Sequence, residues 1–255
     1  MDKAKKIYDK LIWESENRFE RGLLDYTVVN MSYNSNKIEG STMTLDQTWM
    51  LYDYDIVSES DVTTKGNDVV EMKNHFEAVK KVVRTANDML TEDYIKTLHF
   101  QLKNNTDDVK LGYNVGEYKK YQNAVGGTAT LALQYVEERM KELLSVYTQK
   151  QKATLEDIAD FHSNYEKIHP FQDGNGMTGR LIVLKECLKN DVVPFIVTNE
   201  TRGGYITQLK EHQRNNKVSL YNYFKKQQAE YLREAEYFIP ELAGMPSLDE
   251  TVNKE

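Results

Sequence analysis

The spacing of chain-breaking residues is the feature that most constrains the fold of this chain. The 255 residues include only four prolines and 13 glycines, and most of the glycines cluster in a few short segments. Between these segments apolar residues recur at helical spacing, as they do over residues 68–87. The sequence therefore predicts a mainly α fold in which the non-helical segments are short.

The same patterning predicts one hairpin and ten helices. Residues 116–127 hold aromatic and polar side chains and end on Gly126 and Gly127, which is typical of a short β-hairpin. A capping signal at Thr154 and acidic residues after Thr91 indicate that helices begin there. The predicted helices cover residues 3–24, 24–38, 45–54, 68–87, 91–102, 131–148, 154–168, 179–190, 201–215 and 220–238.

These elements are expected to form one domain, since no linker separates two. Residues 1–24 are predicted to form an N-terminal helical arm that packs on the main domain of residues 25–240. The final residues, 241–255, are polar and are predicted to form a disordered tail.

Charge and cysteine content exclude several classes of function. The chain carries 40 acidic and 33 basic residues, a formal charge of −7, and so offers no basic surface for nucleic acid. Cys187 is the only cysteine, which excludes an intrachain disulfide and fits a reducing compartment. Residues 1–13 lack the apolar core of a signal peptide, and no apolar run has transmembrane length. The sequence predicts a cytoplasmic protein without a membrane or nucleic-acid partner.

The segment of residues 169–180 concentrates groups that suit phosphate chemistry. Gly174 and Gly176 permit positive φ and close approach of a ligand, and an apolar helical pattern follows them. The first amides of such a helix lack internal partners and lie at its positive end, where a phosphate is stabilised. Asp173 is suited to bind Mg²⁺, Arg180 to pair with phosphate, and His169 to accept a proton near neutral pH.

Two metal-binding alternatives fit this segment poorly. A calcium loop would need ligands at the positions of Met177 and Leu184. A zinc site would need more than His162 and His169, which are seven residues apart in a chain with one cysteine. An ordinary turn is the structural alternative for Asp-Gly-Asn-Gly alone. The other four histidines are assigned structural roles: His75, His99, His162 and His212.

The complete segment resembles the signature of the Fic family, H-x-F-x-(D/E)-G-N-G-R-x-x-R. Eleven of the twelve positions from His169 to Arg180 agree with it, and the exception is Met177, where the pattern has its first arginine. The resemblance covers about residues 25–230 and implies a Fic-type helical bundle with a short β-hairpin flap. It also implies a protein adenylyltransferase, which transfers AMP from ATP to Ser, Thr or Tyr hydroxyls of target proteins and of itself and releases pyrophosphate.

The resemblance also implies a role for individual residues. His169 is the implied catalytic base, and Asp173 is the implied ligand of Mg²⁺, which binds with ATP. Methionine cannot form the charged contacts of an arginine, so Met177 removes one cationic contact. The implied nucleotide-binding residues are Gly174, Asn175, Gly176, Thr178, Gly179 and Arg180 within the segment, and Tyr205 and Gln213 after it.

A second motif, residues 35–40, resembles the family's inhibitory motif, (S/T)-x-x-x-E-(G/N). Ser35 and Glu39 are four residues apart and share a helix face, and Gly40 suits the position that ends a helix. Taken alone, the motif would be a surface helix with a glycine stop. The resemblance implies the subclass with an N-terminal inhibitory helix, about residues 25–40, in which Glu39 pairs with Arg180 where the γ-phosphate binds. A second role for Glu39, in removing AMP from targets, stays open.

The predicted hairpin resembles the family's flap, which covers the nucleotide and pairs with the backbone of a target segment. The implied flap residues are Tyr121, Asn123, Val125 and Gly126. A purely structural hairpin is the alternative.

Other functions fit the same motifs. The donor group could be UMP, GMP, phosphate or phosphocholine instead of AMP. An enzyme impaired by Met177 would be a binding module that sequesters a partner, and Mg²⁺-dependent turnover separates the two. A toxin-like protein restrained by a separate chain is disfavoured, because the inhibitory motif lies in the same chain. The expected partners are hydroxyl-bearing target proteins and further copies of the chain, through self-modification and homo-oligomers.

Overall fold

The computed structural model describes residues 3–57, 64–125 and 127–244, and this part of the chain is largely helical. Short 3-10 helices lie at Leu133–Tyr135, Asn199–Thr201 and Pro240–Ala243. The prediction of a mainly α fold is therefore confirmed. The α-helices are α1 (Lys3–Asn17), α2 (Leu23–Ile38), α3 (Leu45–Tyr54), α4 (Gly66–Arg84), α5 (Glu92–Lys103), α6 (Asp107–Lys110), α7 (Val136–Thr148), α8 (Leu155–Ile168), α9 (Asn175–Lys189), α10 (Arg202–Gln213) and α11 (Lys217–Phe238).

Two short strands form a hairpin between α6 and α7. Strand β1 (Ala124–Val125) pairs antiparallel with β2 (Thr128–Ala129), with Ala124 opposite Ala129. Gly127 turns between them with a φ of 79°. The strands lie later in the sequence than the prediction for residues 116–127, because the backbone of Lys119 and Tyr121 bonds to the loop after α8 and not to a second strand.

Three predicted helices differ from the observed ones by four residues or more at one end. The helix predicted for residues 3–24 ends at Asn17, because Arg18 and Arg21 turn the chain with φ values of 50° and 58°. The helix predicted from residue 131 begins as a 3-10 turn before Val136. The helix predicted from residue 179 already begins at Asn175, so most of the glycine-containing segment belongs to its first turns.

Helix α9 lies at the centre of the molecule. Thirteen of its fifteen residues are buried, and it packs against α1, α2, α4, α5 and α8. Even its charged Lys185 is buried, because the ammonium donates to the carbonyl oxygens of Ala86 and Asp88 at 3.1 and 2.6 Å. The N-terminus of α9 is therefore held in the interior, and the loop before it is surrounded by other elements.

The structure describes most of the predicted N-terminal arm and only the first residues of the predicted tail. Ile7 and Leu11 of α1 belong to the same core as the central helices. Residues 245–255 of the predicted tail lie outside the described residues. Residues 241–243, predicted as part of that tail, are in a 3-10 helix, because Leu242 packs in the core. Within the described ranges, no helix has both the length and the apolar character needed to cross a bilayer.

Candidate active site

His169 follows the last residue of α8, a helix that begins with a capping box between Thr154 and Asp157. His169 itself has a left-handed backbone, with φ 53° and ψ 63°, and its N–H donates to the carbonyl oxygen of Tyr165 at 2.9 Å. A residue with a Cβ in this conformation costs of the order of 1 kcal/mol and is found where a site requires it. The strained turn ends α8 and begins the loop that leads to α9.

The environment of His169 favours the neutral imidazole. Burial lowers its pKa, and the nearby Lys119 ammonium lowers it further. A hydrogen bond to the backbone of Glu166 and the carboxylates of Glu39 and Asp173 act in the opposite direction, but the net shift is downward. The ring is therefore neutral at pH 7, which is the form that accepts a proton.

Asn175 and Thr178 give the loop its shape. The amide of Asn175 bonds to the backbone of Phe171 twice, accepting from its N–H at 2.8 Å and donating to its carbonyl oxygen at 2.9 Å. The hydroxyl of Thr178 donates to the carbonyl oxygen of Gly174 at 2.9 Å. Both side chains are thus used within the protein. The first amides of α9 lie at the positive end of the helix, where they favour an anion.

Arg180 is bound by the C-terminal end of α2. Its Nη2 lies 2.8 Å from Glu39 Oε1 and 3.2 Å from the carbonyl oxygen of Ser35, and its Nε donates to Ser35 Oγ at 3.0 Å. Gly40 then leaves the helix with a φ of 102°. A Cβ on Gly176 would lie 2.4 Å from Glu39 Oε1. The Glu39 carboxylate therefore lies directly against the glycine-rich start of α9, paired with Arg180.

Asp173 is held by a lysine on α5. Lys103 is almost fully buried, and its ammonium lies 2.8 Å from Asp173 Oδ2, 2.6 Å from Glu71 Oε1 and 2.8 Å from Asp108 Oδ2. This charge outweighs burial and lowers the pKa of Asp173, whereas burial raises the pKa of Glu71 and of Asp108. Three carboxylates thus surround one ammonium, which leaves excess negative charge at this end of the loop.

His99 holds the backbone of the same aspartate. Its Nδ1 accepts from the N–H of Gly116 at 2.9 Å, so its Nε2 carries the proton and donates to the carbonyl oxygen of Asp173 at 3.0 Å. The ring stacks on Phe171 with centroids 3.8 Å apart. Burial lowers the pKa of His99 to about 4, which keeps this tautomer neutral. The structural role predicted for His99 is therefore one of building the loop.

Asp173 is suited to bind a divalent cation. Its side chain is 57% exposed, and it lines an open groove of about 310 Å³ that also touches Glu39, Gly174 and Met177. Carboxylate oxygens are preferred ligands of Mg²⁺. Met177, at the position of the missing arginine, is 1% exposed and contributes an apolar wall to the groove.

The two nucleotide-binding residues predicted after the segment, Tyr205 and Gln213, lie on α10. Tyr205 is 3% exposed, and its hydroxyl is 2.6 Å from His162 Nε2. Gln213 ends α10 and donates to the carbonyl oxygen of Ser163 at 3.3 Å. Gly179 is buried, and a Cβ there would meet the side chain of His162. The side chains of Tyr205 and Gln213 are thus bonded within the protein, which does not favour the nucleotide contacts expected of them.

The hairpin docks on the loop beside His169. Tyr121 is 60% exposed, while its N–H donates to Gln172 Oε1 at 3.1 Å. The amide of Asn123 donates to the carbonyl oxygens of Phe171 and Gln172 at 3.2 and 3.1 Å. Val125 lies in β1, and the predicted flap residue Gly126 lies outside the described residues. Asn123 thus bonds to the loop between α8 and α9.

Three residues near the site were not predicted to belong to it. His99 and Lys103 are four residues apart on α5, so their shared helix face was a detectable signal. Which element that face would meet depends on the packing of α5 against α9, which no local pattern gives. Lys119 lies in the segment predicted as a hairpin, where a lysine is expected to be exposed.

Comparisons with known proteins agree with this geometry. Residues 89–186 match the family model described as Fic/DOC family. The chain is 26% identical over 181 residues to protein adenylyltransferase fic-1 of Caenorhabditis elegans, and the match covers 69% of this chain and 35% of that protein. It is 27% identical over 186 residues to protein adenylyltransferase Fic of Drosophila melanogaster, covering 70% and 36%. The chain thus spans about a third of the length of these curated relatives.

Solved structures show the same fold. A Fic-domain-containing signaling protein from Bacteroides thetaiotaomicron superimposes with a TM-score of 0.77 at 24% identity, over 96% of this chain and 98% of that one. Fic-1 from C. elegans superimposes with a TM-score of 0.66 at 21% identity, over 89% and 70%. The matched residues 89–186 include both the hairpin and the loop from His169 to Arg180. Residues 89–186 of this chain are thus similar to the Fic/DOC family, and the chain has the fold of solved Fic-domain structures.

Proposed function

We propose that this chain is a protein adenylyltransferase that transfers AMP from ATP to Ser, Thr or Tyr hydroxyls of target proteins and of itself, and that Glu39 inhibits it. The observation that carries the proposal is the 2.8 Å pair between Glu39 and Arg180, at a glycine-rich helix start next to a neutral histidine. The adenylyltransferase names of the relatives support AMP as the transferred group.

The proposed reaction uses the loop for positioning and His169 for proton transfer. The phosphates of ATP lie over the amides of residues 174–176, and Arg180 contacts the outer phosphates. The target hydroxyl attacks the α-phosphorus while its proton passes to neutral His169, and the bond to the departing pyrophosphate breaks. Asp173 would hold Mg²⁺, which supplies neutralisation of phosphate charge.

The proposed inhibition follows from charge and volume. The Glu39 carboxylate contacts Arg180 and leaves no room for a Cβ on Gly176. An ATP phosphate that approaches the same amides would meet a like charge and would lose Arg180 as a partner. Ser35 adds two hydrogen bonds to Arg180, which hold the guanidinium at the end of α2. The inhibited state is thus the state in which α2 occupies the arginine.

Labelling with ATP that carries ³²P at the α-phosphate, in Mg²⁺, tests both parts. Glu39→Gly should raise labelling by about tenfold or more, since the inhibited state loses a charge-assisted hydrogen bond worth at least about 1.5 kcal/mol. His169→Ala should abolish labelling and keep ATP binding. Lys37→Gly is the matched control, because it adds a glycine to the same helix end without touching Arg180, and it should label like the parent.

Four outcomes would count against the proposal. Labelling by His169→Ala would remove the proposed base, and equal labelling by Glu39→Gly and the parent would remove the proposed inhibition. Label that enters only from the γ-phosphate position would indicate phosphate transfer instead of AMP transfer. ATP binding without transfer from ATP, GTP or UTP would favour the impaired binding module.

A further inference from the structure

Lys119 is a buried lysine whose ammonium is bound by neutral oxygens. It is 6% exposed, and its ammonium donates to two neutral oxygens, Asn123 Oδ1 at 2.9 Å and Thr130 Oγ1 at 2.6 Å. In residues 3–57, 64–125 and 127–244 no carboxylate forms an ion pair with it. Burial lowers the pKa of Lys119 to about 8. Burying an unpaired ammonium costs free energy, so a core chosen for stability alone would favour an apolar residue here.

The contacts of Lys119 join the hairpin to the loop after His169. The two oxygens that it binds belong to Asn123 and Thr130, the residues just outside β1 and β2. Its backbone N–H donates to the carbonyl oxygen of Pro170 at 2.9 Å. The Asn123 amide in turn donates to the carbonyl oxygen of Phe171. The Lys119 side chain thus connects the residues that flank the two strands at the base of the hairpin. The Lys119 backbone is bonded to Pro170, which follows His169.

We propose that Lys119 is a positioning residue for the transfer reaction, which fixes the base of the hairpin at one distance from the loop that begins with His169. The proposal rests on the proposed function, because it assumes that a target segment binds the hairpin and that His169 takes its proton. If the base of the hairpin is rigid, a target segment bound to the hairpin holds its hydroxyl in line with the α-phosphorus. Misplacement by about 1 Å can cost roughly a hundredfold in rate.

The charge of Lys119 also acts on His169. The groups that affect the ring are the Lys119 ammonium, which lowers its pKa, and the Glu39 and Asp173 carboxylates and the Glu166 backbone, which raise it. Without the ammonium, burial is the one remaining effect of this set that lowers the pKa of His169, and the carboxylates and the Glu166 backbone still raise it. Loss of the ammonium should therefore raise the pKa of His169. A role in packing alone would change the stability of the protein and leave the titration of His169 where it is.

The first experiment needs no catalysis. Lys119→Met, Lys119→Arg and the exposed neighbour variant Lys120→Met are compared by NMR titration of the His169 ring, by exchange of the Thr130 amide, which donates to the carbonyl oxygen of Asn123 across the hairpin, and by thermal unfolding. Lys119→Met should raise the pKa of His169 and speed the exchange of the hairpin without lowering the Tm. Lys119→Arg should restore both, and Lys120→Met should match the parent. A lower Tm with unchanged titration and exchange would overturn the proposal.

The second experiment measures transfer in the Glu39→Gly background, with a size-tagged His169→Ala copy of the chain as the acceptor. Lys119→Met should lower kcat by roughly tenfold or more, with the affinity for ATP unchanged, and Lys119→Arg should recover most of the loss. An unchanged kcat would overturn the proposal. If the Glu39→Gly chain transfers nothing, the proposed function fails, and the NMR and exchange results still decide whether Lys119 positions the hairpin.

Discussion

At the scale of the residue, the backbone of His169 is as informative as its side chain. A left-handed φ of 53° at a non-glycine residue is retained at a cost, and here it occurs where α8 stops and the loop that leads to α9 begins. Burial and the Lys119 ammonium then keep the ring neutral. Conformation and charge at this residue both fit a base that accepts a proton during transfer.

The lowered pKa of His169 predicts the pH dependence of transfer. A base loses activity as pH falls through its pKa, so a pKa below the ordinary value near 6.5 moves that loss to lower pH. The midpoint of the acidic loss of transfer by Glu39→Gly should therefore lie below about pH 6.5. Initial rates at saturating ATP and Mg²⁺ measure it. An acidic limb centred at or above about 6.5 would contradict the assignment.

At the scale of the element, α5 supports the end of the loop that carries Asp173, the proposed Mg²⁺ ligand. His99 holds the backbone of Asp173 and Lys103 holds its carboxylate, from adjacent turns of one helix. The same ammonium separates Asp173 from Glu71 and Asp108, whose oxygens all lie within 4.8 Å of one another. The Lys103 ammonium thus occupies the centre of these three carboxylates, while Asp173 also lines the groove.

Removal of Lys103 should convert this cluster into a cation site. Lys103→Met leaves three carboxylates without their counter-charge, and one unit charge about 4 Å away is worth a few kcal/mol near a protein surface. Binding of Mn²⁺ without nucleotide, measured by electron paramagnetic resonance, should become at least roughly tenfold tighter than in the parent. Adding Asp108→Asn to the variant should reverse most of the gain. Equal Mn²⁺ affinity in Lys103→Met and the parent would show that the Lys103 ammonium does not weaken cation binding at the three carboxylates.

The elements that sequence predicted well are those whose signals are local. Helix α3 begins where its capping box at Thr44 directs it, and the observed pair of Glu39 and Arg180 is implied by the resemblance of two motifs to those of the Fic family. The break after Asn17 has no such local signal. It depends on Glu14, a buried carboxylate that accepts from the N–H groups of Leu23 and Leu24 at 3.2 and 2.6 Å and caps α2 from another helix.

The same limit applies to residue roles at the site. Tyr205 and Asn123 have side chains that suit ligand binding, yet both are bonded within the protein. Residue type and spacing cannot distinguish a side chain that faces a ligand from one that braces the site, because the difference arises from the packing of elements distant in sequence. Lys119 shows the converse case, since a residue expected at the surface is buried.

At the scale of the whole molecule, α1 is connected to the proposed inhibitory helix. Ile7 and Leu11 are completely buried in the common core, and Glu14 caps the N-terminus of α2. Helix α2 carries Ser35 and is followed directly by Glu39, so a single helix connects the contacts of α1 with those of Arg180. This packing predicts that α1 unfolds together with the rest of the described chain and not as a separate arm.

A truncation in the core of α1 tests that cooperativity. Ile7→Ala should cost about 2–5 kcal/mol of unfolding free energy, because it leaves a cavity among buried side chains. In a Trp13→Phe background the remaining tryptophan, Trp49, reports on α3, far from Ile7 in the sequence. Its fluorescence and the helical circular dichroism should lose stability by the same amount in one transition. Lys5→Ala, which removes only an exposed pair with Asp9, should change the free energy by less than about 1 kcal/mol. If Trp49 melted as in the parent while helix content fell earlier, α1 would be an independent arm and its link to α2 would carry no free energy.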